Sequence, residues 1–240
     1  MNEKILLYEI LKECIQESPG NSCKPNIPLF SFEGLPGSGK TTQISMVAQK
    51  LEKNQISSSY IEIPTAKGVG RLLKSAYSNP ETWSSLRQEL PWLNPVLLSV
   101  DLITSLQKAE LNKKDVALMS RGILSTYYYN IDAYYGTGNP WTEIKNDLCL
   151  FPKPNVIFFL DLPPQTAHQR VVERKRGTLR KMDMTSSMRR DRLLFELFCS
   201  EIDNTIPVHH IDATKSEDEI ANEITSIIVN YLDNDINKPE

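Results

Sequence analysis

The sequence predicts an α/β protein, in which a five-stranded parallel sheet carries helices on both faces. Two observations lead to this fold class. From residue 28 onward, short apolar runs alternate with longer amphipathic segments, as strands and helices do in such proteins. The 240 residues are 40% hydrophobic and 24% charged, so the chain has enough apolar residues to bury a sheet on both sides.

Five apolar runs predict the strands, because each is short and ends at a turn signal or a polar residue. In chain order they are IPLFSFEG, SSSYIEIP, DVALMSR, PNVIFFLDL and IPVHHID. Apolar residues at helical spacing predict the helices, at residues 40–54, 66–77, 80–89, a long segment after Pro95, 122–135, 164–176, 186–203 and 216–232.

Residues 1–27 are predicted to form a helical extension ahead of the main domain. Apolar residues recur at helical spacing between residues 3 and 17, and the segment SPGNSCKPN then breaks the pattern. The main domain is expected to span residues 28–233, and residues 234–240 are expected to be a frayed tail.

The composition argues against nucleic acid and membrane as partners. Lys and Arg number 27 against 30 Asp and Glu, a formal net charge of −3, whereas proteins that bind polyanions usually have a basic excess. No apolar run approaches the about 20 residues that span a bilayer, and the first residues lack the regions of a signal peptide. The four cysteines are far apart, with no CxxC pair, which is typical of reduced thiols in a cytoplasmic protein.

The strongest motif is GLPGSGKT, from Gly34 to Thr41, which fits G-x-x-x-x-G-K-[ST] in every position. An apolar strand precedes it and an amphipathic helix follows, so backbone N–H groups and the helix dipole would surround phosphate oxygens. Lys40 is predicted to contact the β- and γ-phosphates of a nucleotide, and the Thr41 hydroxyl to hold Mg²⁺. The predicted nucleotide-binding residues are Gly34, Gly37, Ser38, Gly39, Lys40, Thr41 and Thr42.

A phosphate loop predicts a nucleotide but not a reaction. A GTPase is expected to show both NKxD and DxxG segments, and the sequence contains no DxxG segment. A motor ATPase is expected to end its third strand in acidic residues, whereas this strand ends in Ser120 and Arg121. These exclusions leave the small-molecule kinases, whose substrates are ATP and a small acceptor. The expected fold is therefore the P-loop kinase fold.

Over roughly residues 28–232, the sequence resembles the thymidylate kinase family. FEGLPGSGKTTQ is similar to the family's phosphate loop, and IEIP takes the place of its Arg-Glu-Pro-Gly-Gly loop. LDLPPQTAHQRVVERKRG resembles the segment that leads into the lid, and VHHIDATKSEDEIANEI resembles the closing strand with its adenine-side loop and last helix. SRGILSTYYYN resembles the Asp-Arg-Tyr segment, with four residues in register: Arg121, Ser125, Tyr129 and Asn130.

The resemblance implies a nucleoside monophosphate kinase that uses ATP and Mg²⁺, with a basic lid at about residues 174–188. Phosphoryl transfer needs positive charge around the moving group, and the phosphate loop has no arginine of its own, so the lid arginines are expected to supply it. The expected catalytic residues are Lys40, Arg121, Arg174 and Arg180. The expected acceptor-binding residues are Glu33, Pro64, Arg121, Ser125 and Tyr129. Thymidylate kinases commonly form homodimers, and the apolar residues 95–107 allow that here.

The acceptor half departs from the family pattern. Ser120 stands where the family carries an Asp that helps hold Mg²⁺, so Glu33 and Asp161, with Thr41, are the expected metal residues. Two family arginines that hold the acceptor phosphate are absent, because the loop before Pro64 is shortened and Leu102 follows LLSVD.

Three functions therefore stay open. The first is phosphorylation of dTMP by ATP, the second is the same donor chemistry on another small acceptor such as a nucleoside, and the third is a nucleotide-binding switch or pseudokinase. The intact Lys40 and Thr41 favour the first two, whereas Ser120 favours the third.

Overall fold

The computed structural model describes residues 27–135, 139–149, 151–174, 183–202 and 205–236. In these residues, five parallel strands form one sheet in the order β2-β3-β1-β4-β5. The strands are β1 (Leu29–Glu33), β2 (Ser58–Glu62), β3 (Val116–Ser120), β4 (Val156–Asp161) and β5 (Val208–Asp212). The helices are α1 (Lys40–Lys53), α2 (Gly68–Tyr77), α3 (Pro80–Glu89), α4 (Leu93–Leu111), α5 (Ile123–Asn130), α6 (Pro140–Asp147), α7 (Pro164–Glu173), α8 (Thr185–Ile202) and α9 (Glu217–Ile236), and a 3₁₀ turn (Ile131–Tyr134) follows α5.

The chain divides into two compact units. The sheet unit comprises Pro28–Glu62, Asn112–Tyr129 and Pro154–Glu240, and it contains all five strands. The helical unit includes Ile63–Leu111 and Asn130–Lys153, which supply α2, α3, α4 and α6.

In the sheet unit, alternate residues of each strand point to opposite faces. Phe30 of β1 packs against Tyr231 of α9, with ring centroids 5.5 Å apart, and α9 lies against α1. This side of the sheet is called the α1 face. Phe159 of β4 packs against Phe195 of α8 at 5.7 Å, which defines the opposite side as the α8 face.

In the helical unit, a half-buried tyrosine and two buried asparagines bond to one another. The Tyr77 hydroxyl donates to Asn94 Oδ1 at 2.7 Å, and Asn94 Nδ2 donates to Asn130 Oδ1 at 2.6 Å. Because a buried polar group without a partner costs about 1–3 kcal/mol, this chain of bonds favours one packing of α2, α4 and the residue that ends α5.

The predicted fold class is confirmed, since five parallel strands occur in the predicted chain order. Helix α4 begins at Leu93, before Pro95, because proline is tolerated in the first turn of a helix. The sequence did not predict α6, and the predicted helix at 122–135 ends at Asn130 and gives way to the 3₁₀ turn.

The predicted extension 1–27 falls outside the described residues, except Ile27. In the described part of the chain, no helix is long and apolar enough to cross a membrane.

Candidate active site

The phosphate loop connects β1 to α1, and its glycines adopt backbone angles that other residues rarely take. Gly37 and Gly39 have φ values of 88° and 94°, in the left-handed region. A side chain on Gly37 would also approach the Ala167 carbonyl oxygen to 2.5 Å. Only glycine therefore allows this loop to pass α7 and turn into α1 at Lys40.

Lys40 is 7% exposed, and its ammonium is folded back onto the phosphate loop. Its Nζ donates to the carbonyl oxygens of Gly34 and Leu35, both at 2.8 Å. Burial, together with the positive charges of Arg121 and Arg174, holds the pKa of Lys40 well below its ordinary value of 10.5, although Glu33 opposes the shift. Anionic phosphate groups would relieve this concentration of positive charge.

Arg121 directly follows β3, at the carboxyl edge of the sheet where open α/β sheets bind ligands. Its φ is 67°, a left-handed conformation that is uncommon for a residue with a side chain. The guanidinium donates a hydrogen bond to the Tyr129 hydroxyl and also lies over the Tyr129 ring, 5.3 Å from its centroid. Tyr129 therefore holds the arginine predicted to bind the acceptor.

Glu33 is fully buried and bonds to the turn that follows Arg121. One of its carboxylate oxygens accepts from the backbone N–H groups of Gly122 and Leu124, at 2.7 and 3.1 Å, and the other accepts from the Ser125 hydroxyl. Burial raises the pKa of Glu33, although these hydrogen bonds partly offset the shift. Glu33 and Ser125 thus fix the first turn of α5 and the backbone of Arg121.

Asp161, at the end of β4, is paired with an arginine of α8. Arg192 Nε and Nη2 each donate to one of its carboxylate oxygens, both at 3.0 Å, and Arg192 Nε also lies 3.3 Å from Glu196 Oε1. The carboxylate predicted as a metal ligand is therefore shared with a bidentate arginine.

Pro64 belongs to the helical unit, next to a loop held by a carboxylate that sequence reasoning did not single out. Asp101 accepts from the backbone N–H and from the hydroxyl of Thr65, both at 2.7 Å. Gly70 makes room for this contact, because a Cβ there would lie 2.6 Å from Asp101 Oδ2. No sequence signal marked the Thr65–Asp101 contact.

The predicted lid residues are described only in part. Arg174 is the C-cap residue directly after α7, is exposed, and acts electrostatically on Lys40. Arg180 and residues 175–182 around it lie outside the described residues.

The sequence also did not predict a second group of polar side chains, at the carboxyl ends of β2 and β3. The Tyr60 hydroxyl interacts with the side chains of Ser120 and Glu62, and burial and the Glu62 charge raise the pKa of Tyr60. Tyr60 lines a cavity of about 690 Å³ together with Thr41 and other residues of α1. This group could have been predicted only from the parallel pairing of Glu62 with Ser120. That pairing cannot be derived from the sequence unless the order of the strands in the sheet is known.

The phosphate-loop residues fit Mg²⁺ in the way that P-loop proteins bind it. In the described part of the chain, no three His, Cys, Asp or Glu side chains cluster to hold a metal. Mg²⁺ usually keeps several waters and binds through one or two carboxylates plus substrate phosphates, so it does not need such a cluster. Thr41, at the start of α1, is exposed and lines the cavity that also contains Tyr60.

A parallel sheet, a glycine loop leading into a helix, and a buried lysine on which the charges of two arginines act define a P-loop α/β protein of the kinase type. A family model described as thymidylate kinase matches residues 32–224. A thymidylate kinase of Legionella pneumophila is 26% identical over 213 residues, 87% of this chain and 97% of that protein. A probable thymidylate kinase of Sulfolobus acidocaldarius is 32% identical over 211 residues, 85% of this chain and 97% of the relative. The chain belongs to the thymidylate kinase family, so the resemblance is confirmed, and it is a nucleoside monophosphate kinase-like phosphotransferase.

Proposed function

We propose that this protein transfers the γ-phosphoryl group of ATP to dTMP, giving dTDP and ADP. The observation that carries the proposal is the buried Lys40 of the phosphate loop, on which the charges of Arg121 and Arg174 act, in a thymidylate kinase family member. A triphosphate and a monophosphate are the anions that such a set of cations attracts, and their charge must be balanced while the phosphoryl group moves.

On the donor side, backbone N–H groups of the phosphate loop bind the β- and γ-phosphates. Lys40 exchanges its hydrogen bonds to Gly34 and Leu35 for phosphate oxygens, and this restores its charged form. Mg²⁺, held by the Thr41 hydroxyl and by phosphate oxygens, supplies further positive charge when it is bound.

On the acceptor side, Arg121 binds the dTMP phosphate. Tyr129 orients the guanidinium, and Glu33 with Ser125 fixes the backbone that carries it. An oxygen of the dTMP phosphate forms a bond to the γ-phosphorus, the bond from that phosphorus to the bridging β–γ oxygen breaks, and ADP leaves. Arg174 adds positive charge around the moving phosphoryl group.

A second candidate is the same transfer to a different small acceptor. In the segment where the family carries an acceptor arginine, Asp101 bonds to Thr65 and Leu102 follows it. A carboxylate engaged in its own loop and a leucine do not pair with an acceptor phosphate, which favours an acceptor that binds through fewer charges.

The test is ADP release by the purified protein with ATP and Mg²⁺ over a panel of acceptors. The proposal expects kcat/KM for dTMP to exceed that for other nucleoside monophosphates, for thymidine and for water by about tenfold or more, a difference of about 1.4 kcal/mol. A preference for a nucleoside would support the second candidate. Tight ATP binding without transfer to any acceptor would identify a nucleotide-binding switch.

Four further expectations stay predictions. They are the homodimer, the cytoplasmic location, the division into extension, main domain and tail, and the lid at about residues 174–188. The dimer is checked most directly by light scattering of the purified chain, where the mass is expected to be twice 27.3 kDa.

A further inference from the structure

We propose that Glu62 supplies the carboxylate of the Mg²⁺ site beside the phosphate loop, acting through the metal's water ligands. The inference rests on the proposed function, because it takes ATP with Mg²⁺ as the ligand. It assigns to β2 a role that the sequence suggested for Glu33 or Asp161.

Glu33 and Asp161 both lie on the α8 face of the sheet. In β1, Glu33 alternates with Phe32 and accepts its hydrogen bonds from the turn that starts α5. In β4, Asp161 is two residues after Phe159, and it is paired with Arg192 of α8. Both carboxylates therefore face away from α1, where Thr41 lies, and both already have hydrogen-bond donors.

Glu62 lies on the α1 face, beside Ser120. Tyr60 lines the cavity formed with Thr41 and α1, and Glu62, two residues further along β2, points to the same face. Glu62 is the register partner of Ser120, and Ser120 is the partner of Phe32, which also lies on this face. The Tyr60 hydroxyl interacts with both Glu62 and Ser120, so the two side chains share one local environment.

The chemistry of Mg²⁺ fits this arrangement. A P-loop site normally combines the loop hydroxyl with a carboxylate at the end of a neighbouring strand. Here β3 offers only the neutral Ser120 hydroxyl, whereas the exposed Glu62 carboxylate is one strand further from the loop, a spacing of about 4.8 Å. Because Mg²⁺ keeps several water ligands, a carboxylate at this extra distance stabilises the ion by accepting hydrogen bonds from those waters.

The test measures metal binding without turnover. Mn²⁺ replaces Mg²⁺ as the probe, and its affinity for the full-length protein saturated with a non-hydrolysable ATP analogue is followed by water-proton relaxation. We expect Glu62→Gln to lower the Mn²⁺ affinity by about tenfold or more and to leave metal-free binding of the analogue unchanged. Glu52→Gln is the matched control, because Glu52 is an exposed carboxylate of α1 that lines the same cavity, and it should match the wild type.

Restoring the Mn²⁺ affinity with a second substitution is the more specific test. Ser120→Asp, added to Glu62→Gln, places a carboxylate on β3 and should recover most of the lost Mn²⁺ affinity. Wild-type affinity in Glu62→Gln, or an equal loss in Asp161→Asn, would overturn the assignment. If the wild type binds Mn²⁺ together with the analogue but phosphorylates no acceptor, the proposed function is refuted and the role of Glu62 stands. If the wild type binds no Mn²⁺, the role of Glu62 is overturned, whatever the turnover of the protein.

Discussion

The phosphate loop and the Thr65–Asp101 loop use their polar groups in opposite ways. At the phosphate loop, Lys40 is buried, and burial together with the charges of two arginines holds its pKa low, so an anionic ligand would stabilise the site. In the helical unit, Asp101 and Thr65 bond to each other, and their contact is complete without a ligand. We therefore expect the first site to gain stability from a bound phosphate, whereas the second gains it from its own hydrogen bonds.

This difference explains which parts of the site are visible in a sequence. ATP phosphates are bound by backbone N–H groups, and the backbone geometry requires particular glycines at fixed spacing, as at Gly37 and Gly39. An acceptor is recognised by side chains from distant segments, which leave no short motif. The donor side is therefore the more predictable half, and the predictions below test whether the two halves are energetically separate.

The largest effect is expected for Lys40→Ala. Removing the ammonium takes away positive charge from the migrating phosphoryl group, which should lower kcat by about a thousandfold, about 4 kcal/mol of transition-state stabilisation. The measurement is steady-state ADP release at saturating ATP and acceptor. Lys53→Ala is the control, since Lys53 is an exposed lysine at the far end of the same helix, and it should retain wild-type turnover. Undiminished kcat in Lys40→Ala would contradict the proposed mechanism.

Arg121→Ala should affect acceptor binding far more than ATP binding. Losing a charge-assisted pair with the acceptor phosphate is expected to raise the acceptor KM by about a hundredfold, while the Kd for ATP changes by less than about threefold. Tyr129→Phe keeps the ring under the guanidinium and removes only the hydroxyl that accepts its hydrogen bond, so a smaller rise is expected. Isothermal titration with ATP alone separates the two substrates, and an equal loss of ATP affinity would place Arg121 on the donor.

The low pKa of Lys40 predicts a pH dependence of ATP binding. Phosphates are attracted by the protonated ammonium, so ATP affinity should be constant at low pH and fall as pH rises through the pKa of Lys40 in the free protein. Because burial and the two arginines place that pKa well below 10.5, the fall begins at a lower pH than an ordinary lysine would give, with a limiting slope of about tenfold per pH unit. Titrating ATP at several pH values tests this. Lys40→Met, which has no ammonium, should lack the fall, and a fall of equal size in that variant would assign it to another group.

The strands were the most predictable part of the fold, because β1, β3 and β4 are buried on both faces and therefore read as continuous apolar runs. Helix α6 was missed because its sequence, PWTEIKND, is mostly polar and only two turns long. The Glu33–Ser125 contact joins residues 92 positions apart, and the Glu62–Ser120 pair depends on strand order. Local periodicity carries no information about contacts between distant residues or about the order of strands in the sheet. These two contacts could therefore be identified only in the folded structure.

The smallest effect on catalysis is expected for Asp101→Ala, in the helical unit. The change removes both oxygens that accept from Thr65, and Asp101 is 4% exposed, so the free energy of unfolding should fall by about 2–3 kcal/mol. The loop after Pro64 is expected to lose its fixed position, which should raise the acceptor KM by about threefold to tenfold. Chemical denaturation and acceptor kinetics measure the two consequences.

Matched substitutions separate the loss of the Thr65 anchor from general damage to the helical unit. Thr65→Ser keeps both donors to Asp101 and should leave stability and KM unchanged, whereas Asp101→Asn keeps the shape, loses the charge and should fall between wild type and Asp101→Ala. The Kd for ATP should stay within about twofold of wild type in all three variants, because the Thr65–Asp101 contact lies in the helical unit and the phosphate loop in the sheet unit. If ATP affinity fell in parallel with the acceptor KM, the two halves would be coupled, and the contrast between a site completed by its ligand and one completed by its own fold would not hold.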